Sequence, residues 1–369
     1  MTGGVIAVYA AFFATGAFST LALTPVFRTL ALRTGLVDHP GARKIHEHAT
    51  PYGGGLAIYA AFVISACAAF AAWFFLTGDT AESRQALQSL IARCHAPNLL
   101  TRTAGLAIGG TAVFILGLAD DRWRLSWRTK LAGQAAAAAI LWWTGTRITL
   151  FVDSQIFSLA ATVLWVVFIT NAMNLLDNMD GLSAGVSAIA AAIFFASAVQ
   201  MDQPAVACLL ATLTGACLGF LRYNYAPASV FMGDAGALFL GFILSAAAIS
   251  GTYYAGPGHA LSVAIPPVAL AIPIFDTLSV MLIRWRTGKP LFCGDTNHFS
   301  HRLVRLGLSR PMAVLTIYML SLSLGLMALM LPQLTGTGEV LALLHTAGIL
   351  CVIGVLEYAA ACRRNGEAP

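Results

Sequence analysis

The sequence predicts an all-α protein that crosses a membrane about eleven times. Of its 369 residues, 58% are hydrophobic and only 10% are charged, and the mean hydropathy is +0.78. A soluble domain carries about 25% charged residues. The composition therefore excludes a cytosolic globular enzyme, a nucleic-acid-binding module and a disordered chain. The seven cysteines form no CxxC pair, which argues against a disulfide or metal framework.

Eleven apolar runs provide the predicted spanning helices, each of which needs about 20 residues. The runs lie near residues 4–32, 53–77, 103–119, 130–145, 158–175, 181–200, 204–222, 233–251, 261–284, 312–332 and 339–361. The fourth run is short, and the segment 146–157 alternates in polarity as a small extracytoplasmic β-hairpin would. Gly and Ala are frequent in the runs, which favours close helix packing in lipid. We therefore expect a single integral membrane domain over residues 1–369.

The positions of Lys and Arg predict the orientation of the chain. With eleven spans, seventeen of the 21 basic residues fall on the side of the membrane that also holds the C-terminus. Cytoplasmic loops of membrane proteins carry an excess of Lys and Arg. We therefore expect the N-terminus outside the cell and the C-terminus in the cytoplasm.

Most of the carboxylates fall in the same predicted cytoplasmic loops, near residues 33–52, 120–130, 174–181, 222–234 and 285–311. A transporter would instead bury ionisable groups near the middle of the bilayer. The gathering of both charge signs at one face indicates an active site for a charged, water-soluble substrate. Two alternatives remain: a secondary transporter, and a membrane scaffold for polysaccharide enzymes.

An aspartate pair, Asp120 and Asp121, closes the third run. Carboxylates at this position meet the negative end of the helix dipole. A positive group should therefore lie close by: a metal ion, Arg122, Arg124, or Lys130 at the start of the next helix. The alternative is a solvated loop with no role in binding.

Asp234, in the segment FMGDAGALFLG, lies between two glycines just before an apolar run. Glycines let a backbone approach a ligand closely, and a helix N-terminus attracts phosphate. The alternative is that Asp234 is an N-cap residue that only stabilises the following helix.

Polar residues recur at every third position of NAMNLLDNMDGLSAG: Asn171, Asn174, Asp177 and Asp180. On an α-helix the first and the last would point to opposite sides, whereas a spacing of three lines up in a 3₁₀ turn. Four such groups in an apolar context are unfavourable unless they have partners. We expect the helix to tighten or end before Gly181, so that the four side chains share a site.

The last predicted cytoplasmic loop contains His298, His301 and Arg302. Their spacing places both histidines on one helical face. Zinc would need a third ligand and no competing cations, so we expect hydrogen bonds to phosphate or sugar oxygens.

Three prolines, Pro266, Pro267 and Pro273, interrupt the ninth run, and Asp276 follows them. A bent helix could open a groove for a long lipid tail. The alternative is a kink without a binding role.

Five motifs follow one another over residues 34–311: GLVDHPGARKIHEHATPYGGG, the aspartate pair, NAMNLLDNMDGL, NYAPASVFMGDAGA and a D-x-x-H-x-x-H-R-L loop. On these motifs the chain resembles the polyprenyl-phosphate N-acetylhexosamine-1-phosphate transferases. It resembles phospho-N-acetylmuramoyl-pentapeptide transferase more distantly. The last loop is similar to that of the N-acetylglucosamine branch, because the muramoyl-pentapeptide branch typically shows three consecutive histidines.

The resemblance implies transfer of an N-acetylhexosamine 1-phosphate, with N-acetylglucosamine as the expected sugar, from a UDP-sugar to undecaprenyl phosphate. UMP would be released, and the product would start a cell-envelope polysaccharide. It also implies Mg²⁺, with Mn²⁺ as a substitute, a homodimer, and an active site on the cytoplasmic face of the bacterial inner membrane. The alternative is the muramoyl-pentapeptide transfer of peptidoglycan synthesis.

By position, the resemblance makes Asp234 and Asp121 the metal ligands. The predicted catalytic residues are Asp120, Asp121, Asp177 and Asp180. The predicted substrate-binding residues are Lys44, Lys130, Asn171, Asn174, Asn224, Asp276, His298, His301 and Arg302. We expect direct in-line attack by the acceptor phosphate, with Asp120 or Asp121 orienting it. An aspartyl-phosphate intermediate is the alternative.

Overall fold

The computed structural model describes residues 3–38, 49–76, 98–150, 152–251, 260–290 and 297–365. Within these ranges almost all of the regular structure is helical. The chain forms two compact units, residues 1–252 and residues 253–369. The prediction of one integral membrane domain stays a prediction.

The first unit contains eight helices and a two-stranded antiparallel sheet in its described residues. In chain order the elements are α1 (Gly3–Thr34), β1 (Val37–Asp38), β2 (Thr50–Pro51), α2 (Gly54–Leu76), α3 (Leu99–Trp123), α4 (Trp127–Trp143), α5 (Gln155–Leu176), α6 (Leu182–Gln200), α7 (Pro204–Asn224) and α8 (Gly233–Ser250).

The second unit is helical throughout its described residues. Its elements are a 3₁₀ turn (Ala260–Ala264), α9 (Ile265–Ala269), α10 (Ala271–Arg286), α11 (Phe299–Arg305), α12 (Arg310–Met330), a second 3₁₀ turn (Leu331–Gln333) and α13 (Thr337–Asn365).

In the described ranges, nine helices are long and apolar enough to cross a membrane, and the total is ten if the bent pair α9–α10 is one span. The predicted fourth span is α4, which has only 17 residues and is shorter than the usual span of about 20. The predicted class, an all-α polytopic membrane protein, is confirmed. The count of eleven spans and the orientation stay predictions.

The predicted β-hairpin near residues 146–157 is wrong. The described part of this segment contains no strand, and α5 begins at Gln155. The Ser154 hydroxyl caps this helix by accepting the N–H of Phe157 at 3.3 Å. The N–H of Ile148 donates to the Thr162 hydroxyl at 2.9 Å rather than to a neighbouring strand. Alternating polarity over so short a segment did not distinguish a strand from a loop and a capped helix start.

Helix α8 forms the core of the first unit, where it packs against α2, α3 and α5 with nearly all of its residues buried. Two glycines allow the close approach of its neighbours. A Cβ added at Gly117 of α3 would lie 2.5 Å from the carbonyl oxygen of Asp234, and one added at Gly55 of α2 would lie 2.4 Å from the backbone N of Gly236. The predicted close packing through small residues is confirmed. It brings the C-terminal end of α3 beside the N-terminal ends of α2 and α8.

In the second unit the segments Leu261–Ala269 and Ala271–Arg286 are bent by 70°. Pro266 and Pro267 lie in the first turn of α9, where a missing N–H is tolerated. Pro273 similarly lies in the first turn of α10. The predicted interruption of the ninth run is confirmed, and a lipid groove at the bend stays a prediction.

Candidate active site

Acidic side chains from three places in the first unit meet where α3 ends and α8 begins. Asp120 and Asp121 lie in the last turn of α3, and Asp234 lies in the first turn of α8. The turn between α5 and α6 contributes two further aspartates. We call Asp120, Asp121, Asp177, Asp180 and Asp234 the carboxylate cluster.

Asp121 caps the N-terminus of α8 from another helix. One of its carboxylate oxygens accepts the N–H of Asp234 at 2.7 Å, and the other accepts the N–H of Ala235 at 3.1 Å. The N-cap residue of α8 is Met232, which has no side-chain capping bond. The alternative in which Asp234 itself is the N-cap is therefore wrong.

Gly233 is required for this cap. Its φ of +73° is in the left-handed region that favours glycine. A Cβ on it would lie 2.6 Å from the carboxylate oxygen Oδ2 of Asp121. The glycine before Asp234 thus lets a carboxylate, rather than a ligand, approach the backbone.

Lys130, in the first turn of α4, joins two members of the cluster. Its Nζ lies 2.7 Å from Asp120 Oδ2 and 3.1 Å from Asp234 Oδ2. The other oxygen of Asp234 accepts a hydrogen bond from the Asn174 amide at 2.9 Å. The other oxygen of Asp120 accepts the N–H of Leu125 at 2.6 Å. The positive partner predicted for the aspartate pair is therefore Lys130, which binds Asp120.

The helix α5 ends inside the N-x-x-N-x-x-D-x-x-D pattern, as predicted. Its last residue is Leu176, and the N–H of Asp177 donates to the Asn174 carbonyl at 3.2 Å, which is a 3₁₀-type bond. Gly181 then breaks the chain with a φ of +76° before α6 begins. This ending turns Asp177 and Asp180 out of the helix.

Two backbone anchors hold that turn. The carboxylate of Asp180 accepts the N–H of Ala228 at 2.9 Å. The buried amide of Asn224 accepts the N–H of Gly181 and donates to the Val230 carbonyl, both at 3.0 Å. Asn224 therefore positions the turn against the loop that leads into α8, and its direct contact with a substrate stays a prediction.

Asp177 faces like charges. Its pKa is raised well above the usual value, first by burial and then by the negative charges of Asp234, Asp121 and Asp180. No hydrogen bond reaches its carboxylate from the described residues. The cluster thus holds more negative charge than Lys130 offsets, and a cation beside Asp177 would lower that pKa.

Asn171 does not join the cluster through any hydrogen bond of the described residues. Its amide donates to Gln134 of α4 at 2.5 Å and to the Val167 carbonyl at 2.7 Å. Gln134 is fully buried. The expectation that all four polar residues share one site is therefore met by Asn174, Asp177 and Asp180, whereas Asn171 links α4 to α5.

A polar cavity of about 190 Å³ opens beside the cluster. Its lining residues are Val37, Asp38, Tyr52, Asp120, Asp121, Arg124 and Asp234. Sequence reasoning did not assign Asp38 or Tyr52 to the site, and it named Arg124 only as a candidate positive partner of the aspartate pair. The glycine run that follows Tyr52 was the available signal, because it allows close backbone approach.

Tyr52 reaches the cavity because its own N–H and that of Gly54 are hydrogen-bonded to backbone carbonyls elsewhere in the chain. Its N–H donates to the Leu36 carbonyl at 3.0 Å, and the N–H of Gly54 donates to the Phe231 carbonyl at 3.0 Å. The pKa of the Tyr52 phenol is raised by burial, then by its hydrogen bond to Asp38 and by the charges of Asp38, Asp121 and Asp234. Tyr52 is thus a neutral hydrogen-bonding group in the cavity wall.

In the second unit, Asp276 holds His298 and the start of α11. One carboxylate oxygen lies 2.9 Å from His298 Nδ1, and the other accepts the N–H of Phe299 at 2.5 Å. Asp276 and His298 are both buried. The His301 ring lies 6.4 Å from the His298 ring, and its pKa is lowered by burial and then by His298 and Arg305.

Arg302 has internal partners. Its guanidinium donates to Glu357 Oε1 at 2.7 Å, to the Asn297 carbonyl at 2.7 Å and to the Ser279 hydroxyl at 2.6 Å. The side chain therefore ties α11 to α10 and α13, and its predicted substrate contact stays a prediction. The predicted substrate-binding residue Lys44 and the aspartate of the last motif, Asp295, lie outside the described residues.

The oxygen donors of the cluster fit a hard divalent cation. Among the described residues, no three His, Cys, Asp or Glu side chains are arranged as a closed metal site. Mg²⁺ does not need one, because it binds through one or two carboxylates together with substrate phosphates and waters. Each carboxylate oxygen has two acceptor positions, so the hydrogen bonds of Asp121 and Asp234 leave room for a ligand bond. The charge around Asp177 favours a cation at the same place.

A larger cavity of about 550 Å³ lies within the second unit. Its walls are almost entirely apolar and include Phe299, Leu303, Ile349 and Val352, with Glu357 as the acidic residue among them. Such a lining suits hydrocarbon, whereas a diphosphate needs the charges found in the first unit.

The membrane helices and the carboxylate cluster together fit a membrane enzyme that acts on phosphorylated substrates. The family model described as Glycosyl transferase family 4 matches residues 103–252, which include the whole cluster. The chain is 33% identical over 325 residues to the "Probable undecaprenyl-phosphate N-acetylglucosaminyl 1-phosphate transferase" of Bacillus subtilis (strain 168). This match covers 86% of this chain and 83% of that protein.

Two further relatives extend the comparison. The chain is 33% identical over 337 residues to the decaprenyl-phosphate N-acetylglucosaminephosphotransferase of Mycolicibacterium smegmatis, covering 83% of this chain and 77% of that protein. It is 34% identical over 227 residues to the phospho-N-acetylmuramoyl-pentapeptide-transferase of Desulforudis audaxviator, covering 61% and 60%. The chain belongs to the polyprenyl-phosphate N-acetylglucosaminyl 1-phosphate transferase family, and the predicted resemblance is confirmed.

Proposed function

We propose that the protein transfers N-acetylglucosamine 1-phosphate from UDP-N-acetylglucosamine to undecaprenyl phosphate, releasing UMP and starting a cell-envelope polysaccharide. One observation carries the proposal: Asp120, Asp121 and Asp234 meet Lys130 at a polar cavity formed at the ends of membrane helices. Such a place is open to a soluble nucleotide sugar and to the phosphate of a membrane lipid. The names of the relatives support this class of acceptor.

The active site is assigned to the cytoplasmic face of a bacterial inner membrane. The cluster lies at the C-terminal ends of α3 and α5 and at the N-terminal ends of α4 and α8. In the predicted topology these ends are on the side of the membrane that holds seventeen of the 21 Lys and Arg. The positive-inside rule then places the C-terminus in the cytoplasm and the N-terminus outside. Homodimerisation stays a prediction from the resemblance.

Asp234 and Asp121 would hold Mg²⁺, or Mn²⁺ in its place, with Asp177 beside them. When bound, the ion would supply charge neutralisation and alignment of phosphoryl oxygens. Lys130 supplies a fixed positive charge between Asp120 and Asp234. Asn174 orients the Asp234 carboxylate by donating to its second oxygen.

The acceptor attacks directly in this proposal. A phosphate monoester with a second pKa near 6 is largely dianionic at neutral pH, so it needs no base unless it arrives protonated, when Asp120 or Asp121 takes the proton. An acceptor oxygen forms a bond to the sugar-bearing phosphorus, and the bond from that phosphorus to the bridging oxygen breaks. The bridging oxygen leaves with UMP.

The hydrogen bonds of the aspartate pair argue against an aspartyl-phosphate intermediate. Both oxygens of Asp121 accept backbone N–H groups, and both oxygens of Asp120 are engaged by Lys130 and Leu125. Carboxylates held in this way are poorer nucleophiles, because attack would break those bonds. A single displacement predicts inversion at phosphorus, and retention would contradict it.

The test incubates the purified protein with undecaprenyl phosphate, Mg²⁺ and a panel of UDP-sugars, and it measures the release of UMP. We expect release with UDP-N-acetylglucosamine and its loss in Asp234→Asn. Asp153→Asn is the matched control, because Asp153 is an exposed acid beyond the opposite end of α5. Release only with UDP-N-acetylmuramoyl-pentapeptide would favour the peptidoglycan reaction. If none of the UDP-sugars yields UMP, the proposal is overturned.

A further inference from the structure

Most of the charged residues that line the polar cavity of the first unit are negative. Four of its described lining residues are aspartates, namely Asp38, Asp120, Asp121 and Asp234, and Arg124 is the one cation among them. An anionic substrate that enters this space meets carboxylates on several sides. A cation with free donors would therefore decide how well a phosphate binds.

Lys130 is not that cation in the arrangement observed. Its Nζ is within 3.1 Å of both Asp120 and Asp234, so its charge is already shared between two carboxylates. Arg124 differs, because its side chain is exposed and makes no hydrogen bond or ion pair with any residue of the described ranges. Arginine is also always charged and presents five donors in a planar fork.

The backbone at Arg124 gives an independent reason to assign its side chain a role. Arg124 is the C-cap of α3, with φ of 52° and ψ of 70°, and its N–H donates to the Asp120 carbonyl at 2.8 Å. This left-handed conformation costs about 1–2 kcal/mol for a residue with a Cβ, and glycine or asparagine usually occupies it. A strained arginine that lines a reactive cavity points to a function of the guanidinium.

We propose that Arg124 binds a phosphoryl group of a substrate in this cavity. The proposal rests on the proposed function and adds a binding residue to it. The ligand chemistry is a phosphate ester, which a guanidinium can bind through two parallel N–H···O bonds. Two sources share that chemistry: the diphosphate of the nucleotide sugar and the phosphate of the polyprenyl acceptor. The hydrogen bond from the Arg124 N–H to the Asp120 carbonyl fixes the backbone of Arg124 beside Asp120. The point from which the side chain extends is therefore defined.

The experiment compares the wild type with Arg124→Gln and Arg124→Lys. Binding of UDP-N-acetylglucosamine and of undecaprenyl phosphate is measured separately by calorimetry, and the KM of each is measured with the other saturating. The control is Arg122→Gln, because Arg122 is an exposed arginine two residues earlier that does not line the cavity. Arg124→Asn is a second variant, since asparagine tolerates the left-handed conformation.

For Arg124→Gln we expect about 10- to 100-fold weaker binding of one substrate, as for the loss of a charged hydrogen bond. The affinity of Arg124→Lys should lie between those of the wild type and Arg124→Gln, and the control Arg122→Gln should bind as the wild type does. Weaker binding of the nucleotide sugar alone assigns Arg124 to the diphosphate, and weaker binding of the lipid alone assigns it to the acceptor. Binding of both substrates within twofold of wild type in Arg124→Gln and Arg124→Asn would overturn the inference. Because binding is measured without turnover, a wild type that releases no UMP would defeat the proposed function separately.

Discussion

The carboxylate of Asp121 accepts the backbone N–H of Asp234 at 2.7 Å, across 113 residues of sequence. Its second oxygen accepts the next N–H of α8, from Ala235. One predicted metal ligand therefore sets the position of the other. A change at Asp121 should disturb both the stability of the helix start and the geometry of the site.

Asp121→Ala should lower both stability and activity. Loss of a helix cap costs about 0.5–2 kcal/mol, and UMP release should fall at least about 100-fold, the scale for loss of a positioned electrostatic group. Thermal unfolding and UMP release are measured on the same preparation, with Asp153→Ala as the control. An unchanged unfolding temperature in Asp121→Ala would argue against the capping role.

Lys130→Met should reduce turnover and tighten the binding of Mg²⁺. Without the lysine, Asp120 and Asp234 face each other with no shared cation, so a divalent ion gains affinity while the substrate phosphates lose a positive charge. The measurement is UMP release against Mg²⁺ concentration. Arg128→Met is the matched control on the same helix, because Arg128 stacks on the neighbouring Trp127 ring at 5.2 Å. If Lys130→Met needs a higher Mg²⁺ concentration than the wild type for half-maximal UMP release, the charge argument is contradicted.

The metal should stabilise the protein through Asp177. Its raised folded-state pKa means that the metal-free protein loses stability as the pH rises from about 4, the usual aspartate value, towards that raised pKa. In this window the unfolded chain has released a proton that the folded chain keeps. We expect Mg²⁺ to raise the unfolding temperature at neutral pH and EDTA to reverse the gain. Asp177→Asn should flatten the pH dependence in EDTA and reduce the Mg²⁺ effect, and the prediction fails if neither changes.

His301 should titrate below the usual histidine range. Burial and the nearby His298 and Arg305 lower its pKa, so its ring is neutral at pH 7. As the pH falls below the unfolded value of about 6.5, the unfolded chain takes up a proton before the folded one does, and this residue's contribution to stability decreases. Histidine NMR of the wild type, with His301→Asn to assign the signal, measures the value. A pKa above 6.5 would contradict the burial argument.

Asp276→Asn should reverse the hydrogen bonding of His298. An ionised carboxylate only accepts, so Nδ1 is the donor in the native protein, while the asparagine oxygen would keep the N–H of Phe299 and turn its NH₂ towards Nδ1. The imidazole would then carry its proton on Nε2. Nitrogen NMR measures the tautomer. UMP release should fall by more than any loss of folded protein, measured by the unfolding temperature, can explain. If Asp276→Asn leaves the tautomer and turnover unchanged, the residue is only structural.

The chemistry-bearing residues near helix ends could be predicted from sequence, because breaks in apolar runs locate those ends. Asp120, Asp121 and Asp234 were placed correctly for this reason, and Gly181 marked the end of the N-x-x-N pattern. Asn171 is still on α5, where its amide donates to Gln134 of α4, and its contact with a substrate stays a prediction. A spacing rule cannot show which neighbouring helix a side chain meets.

The site residues and contacts that the sequence did not predict depend on pairings between segments far apart in the chain. Tyr52 lies in the cavity because its backbone pairs with Phe231, far along the chain, and no local pattern specifies that bridge. The cap from Asp121 to α8 depends in the same way on which helices pack together. The false hairpin at residues 146–157 arose where a polarity pattern was too short to exclude a capped helix start.

The contact at Gly117 carries a consequence for engineering this protein. An added methyl group there would strike backbone atoms of Asp234 and Ala235, and backbone cannot move aside as a flexible side chain can. The spacing between α3 and α8 is therefore determined at Gly117, one helical turn before the aspartate pair of α3 and directly against the backbone of Asp234. Redesign of sugar or lipid preference should keep this crossing intact and vary the cavity rim at Asp38, Tyr52 and Arg124.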